Sequence, residues 1–318
     1  MNFLEELERL RAKQPRNALV NIDAENSEYC SYCYKTKNGY LLYASDYNED
    51  CINSYFIYHC RDCADSSYCQ KCELLFECVD CDACYNLNYC QDLRNCSDCE
   101  YCFDLIGSKN CFGCVGLRQK EYFIFNEPVR KVEYAAKVAE LKQNMEDVRR
   151  RIEELRQKVP VLFMHMMNND NCIGDYVYQS KNSFACFDAK QVEDCYFSNN
   201  IIETKDSTDC SNIYFGNELD YECVANTYLY NCNYCYSCFE SRDLEYCEQA
   251  HNSHDLFGCV YQKRAEYKIL NEPYKKEDYF KKVAEIKDQM KAEGTYGRML
   301  PSTFPYEDSL AASFWPKG

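Results

Sequence analysis

The sequence predicts a mainly β fold with some α-helix: a tandem duplicated β-solenoid of nine-residue Cys-rich repeats, each module followed by a capping or coiled-coil helix. Three observations lead there. All 16 cysteines from Cys30 to Cys114 fall on positions divisible by three. The segments Phe112–Met145 and Phe257–Met290 are identical at 18 of 34 positions, so the chain repeats itself at an offset of 145 residues. The 318 residues include 26 Cys and 30 Tyr against only 10 Gly, too few for the glycine-rich turns of calcium-binding nonapeptide rolls. A spacing of three fits neither the flat strand nor the α-helix, whose faces repeat at about 2 and about 3.6 residues. It fits a coil with very short sides, in which one residue per side points inward and stacked coils align equivalent side chains about 4.8 Å apart.

Taken in order, residues 1–17 read as an N-terminal helix with Leu4, Leu7 and Leu10 as its apolar positions, and residues 18–125 as the first Cys-rich module. There the series Cys51, Cys60, Cys69, Cys78 and Cys63, Cys72, Cys81, Cys90, Cys99 recur every nine residues. Nine residues make either a whole coil or half of a coil of 18, and the sequence leaves both open. In residues 126–160, Asn126-Glu127-Pro128 offers a helix cap, and a helix is expected to run to about Lys158. Its heptad seam is Tyr134, Val138, Leu141, Met145, Val148, Ile152 and Leu155, which suits packing within the chain or a homodimeric coiled coil. The arginine-rich stretch Arg149–Lys158 reads as a solvated face and linker. Residues 161–270 form the second module, whose phase slips by one after Cys210; residues 271–294 form a helix with Tyr279, Val283, Ile286 and Met290, and residues 295–318 a tail.

The C-x-x-C spacing of Cys60/Cys63, Cys69/Cys72, Cys78/Cys81/Cys84, Cys96/Cys99/Cys102, Cys111/Cys114 and Cys232/Cys235/Cys238 makes these residues candidate metal ligands. Two pairs on adjacent coils could give four thiolates to Zn²⁺ or hold an iron–sulfur cluster. The same grid, however, is occupied by Leu42, Leu75, Leu87, Ser45, Ser54 and Asn48, and leucine replaces no ligand. Thiols packed as small hydrophobes in a narrow core, with no cofactor, are therefore the leading expectation. A multi-metal Zn or Fe–S thiolate protein for metal storage, redox sensing or electron transfer is the alternative.

Off the grid, Asp50, Asp62, Asp80, Asp98 and Asp104 alternate with Tyr55, Tyr58, Tyr68, Tyr85, Tyr89 and Tyr101. These are expected on the outer surface as acidic and aromatic ladders, a candidate interaction face for a protein partner. His251 and His254 fall off the grid and are expected to face solvent, and His59 and His165 have no evident partner. No phosphate loop, dinucleotide fingerprint, nucleophile elbow or zinc-protease helix is present, so no enzyme is expected. A formal charge of −16 argues against direct nucleic-acid binding. No run approaches the roughly 18 apolar residues of a membrane span, and the charged start MNFLEELERLRAKQ lacks a signal-peptide core. A cytoplasmic location with reduced thiols is expected.

The blocks SKNSFACFDAK, EDC, CFGCVGLRQKEYFIFNEPVRKVEY and GTYGRMLPSTFPYEDSLAASF resemble a family of cysteine-rich proteins widespread in uncultivated candidate-phylum bacteria. The resemblance spans roughly Cys30 to Phe314, although Tyr261-Gln262-Lys263 stands where the first copy has Gly116-Leu117-Arg118. It implies the repeat unit and carries over no activity. The functional expectation is accordingly a non-enzymatic structural or protein-interaction scaffold with an acidic, Tyr-rich surface and a Cys-lined core.

Overall fold

The computed structural model describes residues 2–15, 19–160, 162–299, 305–309 and 312. Of the expected tail, residues 300–304, 310–311 and 313–318 lie outside the described residues. The chain divides into two compact units, one of residues 17–161 with 306–318, the other of residues 1–16 with 162–305. Each holds a β-solenoid of stacked parallel coils.

In the unit of residues 17–161 the pairing Tyr40↔Ile52, Arg61↔Glu73, Glu73↔Tyr85, Tyr85↔Ser97 and Lys109↔Glu121 fixes the coil at twelve residues. Every third residue is left-handed, from Asp23 (φ 53°), Asn26 (φ 45°) and Tyr29 (φ 53°) onward. A turn is thus four triplets, each with one inward residue, one outward residue and one left-handed corner. Left-handed backbone is costly for residues with a Cβ, least so for Asn and Asp, and these fill many of the corners: Asp50, Asp62, Asp80, Asp98 and Asp104 all stand there. Corner amides also bond from coil to coil, Asn26 Nδ2 to Asn38 Oδ1 at 2.8 Å and Asn38 Nδ2 to Asp50 Oδ1 at 2.8 Å.

The coil is therefore neither nine nor eighteen residues, and the nine-residue recurrence has a different cause. An inward residue stacks on the one twelve positions later, and its neighbour in the next coil lies nine positions later. Cys51, Cys60 and Cys69 point Sγ–H at the carbonyls of Cys60, Cys69 and Cys78, at 3.6, 3.4 and 3.7 Å. Nine is a contact between coils, and twelve is the coil.

The inward positions also meet a backbone requirement, since a buried N–H needs an acceptor. At many rungs the inward N–H donates to the side chain one coil earlier: Ser66 to Ser54 Oγ (3.2 Å), Cys60 to Asn48 Oδ1 (2.9 Å), Cys96 to Cys84 Sγ (3.5 Å) and Cys114 to Cys102 Sγ (3.4 Å). Cys, Ser and Asn interchange because each is small and accepts this bond, sulfur more weakly than oxygen.

The solenoid ends at an antiparallel hairpin, Glu121–Ile124 with Glu127–Pro128. Asn126-Glu127-Pro128 is therefore not a helix cap. The Asn126 amide imitates the next coil, accepting from Val115 N–H (2.9 Å) and donating to the Val115 carbonyl (2.8 Å). Instead of one helix to Lys158 there are two, α1 (Phe3–Lys13) having preceded them in the chain: α2 (Lys131–Leu141) and α3 (Met145–Arg156). The break falls at Asn144, whose side chain caps α3 by accepting from Asp147 N–H at 3.2 Å. Tyr134, Val138, Leu141, Met145, Val148 and Ile152 pack on Phe112, Ile124 and Phe125 at the solenoid end, whereas Leu155 is half-buried outside that cluster. Gly113 (φ 60°) permits the approach, because a Cβ there would lie 2.7 Å from Phe125 and 3.2 Å from Ile152.

In the unit of residues 1–16 with 162–305 the first coil steps by eleven (Met166↔Val177), the next by twelve (Val177↔Ala189), and one by thirteen (Ser211↔Val224) before twelve resumes at Glu218↔Tyr230. The extra residue lies at Phe215-Gly216, both left-handed, which accounts for the phase slip after Cys210. Asn271 closes the end on Val260 as Asn126 does on Val115. Tyr279 and Met290 of α4 (Lys276–Ala292) join Phe3 and Leu7 of α1 over Tyr246, Phe257 and Val260.

Candidate functional site

The fold sends every candidate ligand inward. Cys60, Cys63, Cys69, Cys72, Cys78, Cys81, Cys84, Cys96, Cys99, Cys102, Cys111 and Cys114 line one core and Cys232, Cys235 and Cys238 the other, all at most 3 % exposed. Of the 26 cysteines, Cys172 alone is half-buried, and none is in a disulfide. Thiol contacts link Cys51 through Cys63, Cys60, Cys72 and Cys84 to Cys81, Cys78, Cys90, Cys102 and Cys114. In each contact one sulfur donates and the other accepts, so acidity alternates from Cys63 to Cys90, beyond which burial raises Cys90 and Cys102 alike. Cys60, Cys78 and Cys114 are drawn down by S–H donation from Cys63, Cys81 and Cys102 respectively. Cys63, Cys72 and Cys96 are pushed up by holding the proton toward Cys51, Cys60 and Cys84. Cys195, between Ser183 and Ser207 in its column, is pushed up to about 12 by burial.

Among the described residues no three His, Cys, Asp or Glu side chains converge in the geometry of a metal donor set. The C-x-x-C spacing arises from neighbouring sides of one turn, and no four successive inward positions are all cysteine.

The six tyrosines do not share a face. Tyr55 is 7 % exposed, covered by Tyr43, Phe56 and Tyr68 with ring centroids 5.7, 5.7 and 5.3 Å away; this corrects its expected exposure. Tyr58 and Tyr68 are half-buried in the same cluster. Tyr89 and Tyr101 stack at 4.6 Å on another corner, where Tyr101 meets Phe112 beneath the helical cap. Tyr85 is exposed and stands in the column that carries Glu73.

His251 and His254 point outward, half-buried; His254 pairs with Asp255 (2.7 Å) and Glu266 (3.2 Å). Sequence reasoning missed partners for the other two. His59 stacks on Tyr47 at 4.7 Å, and His165 lies on Tyr176 and 3.0 Å from Asp175. The arginines of α3 are exposed, and two of them, Arg151 and Arg156, also lie over the Phe125 and Phe103 rings at 3.9 and 4.2 Å.

A charged column, also missed, occurs in both modules. Glu25, Lys37, Glu49, Arg61 and Glu73 stack on successive coils, with Lys37–Glu49 at 3.3 Å and an Arg61–Glu73 pair. Asp170, Lys181, Glu193, Lys205 and Glu218 repeat it, with Lys205–Glu193 at 3.1 Å. A twelve-residue step would have shown all of the first and the middle of the second, whose outer steps are eleven and thirteen. The cleft between α1 and Tyr234, Tyr246 and Val260 holds about 30 Å³, room for one water.

No family model and no curated protein matches the chain. Among solved structures it is similar to a provisionally described acetyltransferase of Desulfovibrio desulfuricans G20, at 10% identity, 81% of this chain, 73% of that chain and a TM-score of 0.17. It is also similar to the UDP-N-acetylglucosamine acyltransferase of Campylobacter jejuni, at 8% identity, 86% of this chain, 90% of that chain and a TM-score of 0.12. Likenesses this faint carry no functional weight.

Proposed function

We propose that the protein is a non-enzymatic scaffold whose stacked coils hold protein partners along their outer columns. The observation that carries this reading is the division of labour within the triplet. The reactive side chains face inward and build the coil, while outward positions present straight columns at a spacing of about 4.8 Å. Tyr40 and Tyr85 in these columns, and Tyr47 on a corner beside them, leave nearly half their surface exposed, and Tyr supplies contact area with little rotamer freedom to lose. A charge of −16 favours a basic partner by steering its approach.

The test is affinity capture with the full chain, repeated with Tyr47→Ser and Tyr85→Ser combined. A partner bound saturably by the parent and lost in the variant, with the circular dichroism unchanged, is the expected result. Equal binding by the two chains would contradict the assigned surface. Turnover of a small molecule by the purified chain would contradict the non-enzymatic role.

A further inference from the structure

Sulfur is the chemistry that both cores concentrate and that a scaffold leaves unused. Three columns run uninterrupted along the coils: Cys60–Cys72–Cys84–Cys96, Cys78–Cys90–Cys102–Cys114 and Cys210–Cys223–Cys235–Cys247–Cys259. In the third, Cys235 touches Cys223 and Cys247 above and below it and Cys232 and Cys238 beside it.

Two features distinguish these columns from plain packing. Backbone N–H groups aim at sulfur, as from Cys96 to Cys84 Sγ (3.5 Å), Ser108 to Cys96 Sγ (3.5 Å) and Cys114 to Cys102 Sγ (3.4 Å). Such donors stabilise negative charge on a metal-bound thiolate. In addition, the sulfurs line up from coil to coil; they close into a set of four at Cys99, Cys102, Cys114 and Cys111, but no three such side chains among the described residues take up the geometry a tetrahedral ion needs. Sulfurs meeting in file suit a soft ion that accepts two donors.

We infer that the columns bind copper(I), each ion bridging successive sulfurs and each sulfur shared between ions. For every Cu⁺ that enters, one S–H bond breaks, its proton leaves to solvent and copper–sulfur bonds form, with no change of oxidation state. One ion per thiolate keeps the file neutral, which a dry core demands; four thiolates around one Zn²⁺ would bury two negative charges. Terminal coils of a stacked array open more readily than central ones and supply the entry path.

The test is titration of the full, reduced chain under argon with the acetonitrile salt of copper(I), in competition with bicinchoninate. Native mass spectrometry counts ions, a weakly buffered sample counts protons and far-ultraviolet circular dichroism follows the coils. Several ions per chain, one proton per ion and an unchanged β signal are expected. Cys235→Ser removes at least two ions by breaking the shared bridge, and Cys195→Ser, an isolated thiol, removes none. Serine already occupies rungs at Ser54 and Ser66, so these variants keep the coil; Cys84→Ser repeats the test in the other core. Equal copper counts in Cys235→Ser, Cys84→Ser and the parent chain, or uptake only with loss of the β signal, would overturn the inference.

Discussion

Asp220 occupies an inward position that asparagine fills elsewhere. Asn48 accepts from Cys60 N–H and donates to the Ile57 carbonyl, and Asn226 does the same with Cys238 and Cys235. Asp220 Oδ1 accepts from Cys232 N–H at 3.0 Å, but its Oδ2 has no partner, and by the register of those asparagines that atom belongs with the Leu229 carbonyl. A carboxylate would face a carbonyl there, whereas a carboxylic acid would donate to it. Burial, reinforced by Cys223, pushes Asp220 up to about 9. The folded state thus binds a proton that the unfolded chain releases near pH 4, so the stability this group gives is full below about pH 4. It is lost as pH rises toward 9, by at most about 1.4 kcal/mol per pH unit. Asp220→Asn supplies the donor without the proton. The variant is expected to melt like the parent at pH 4 and above it at pH 8; parallel melting profiles across that range would contradict the assignment. Sequence reasoning could place Asp220 on the grid only after the phase slip at Phe215-Gly216. It also took the thiols as filler, because an acceptor for a backbone N–H leaves no trace in hydrophobic pattern.

At the scale of elements, the outward columns fix which coil sits on which. In Glu25–Lys37–Glu49–Arg61–Glu73 each cation lies between two anions, and a one-coil slip would set like charges opposite, which is destabilising. Lys37→Glu should therefore lower the melting temperature, and by less in high salt, where screening relieves the repulsion. A shift that does not depend on salt would show that the column is ornamental. The helical seam was legible, since all the heptad residues of α2 and α3 except Leu155 do face a common surface, but that surface is the solenoid end rather than a second helix. Two local devices were not legible. Asn144 breaks the seam into two helices, and Asn126 closes the coil with its side-chain amide; each reads in sequence as an ordinary turn or cap residue, and only the register reveals what it pairs with.

Across the whole molecule the duplication extends to the caps, with one substitution of parts. Glu100 pairs with Lys142 at 2.6 Å in one cap and Glu245 with Lys287 in the other, 145 residues apart in each case. Where Gly113 faces Phe125 and Ile152, Gly258 faces Leu270 and Phe3. Phe3 of α1 thus stands in place of Ile152 of α3, so the start of the chain completes the later module. The duplicated solenoid was legible because a three-residue inward grid survives any coil size. The coil length was not, because thiol-to-carbonyl contacts impress a nine-residue rhythm on a twelve-residue turn.

The central claim, that the cysteines are interior rungs of twelve-residue coils, is tested most directly by alkylating the reduced chain under native conditions and counting adducts by mass. Rapid addition of one group, at Cys172, is the result the structure predicts, with the 25 buried thiols reacting only once the chain is unfolded in denaturant. Fast native modification of column residues such as Cys84 or Cys235 would contradict it.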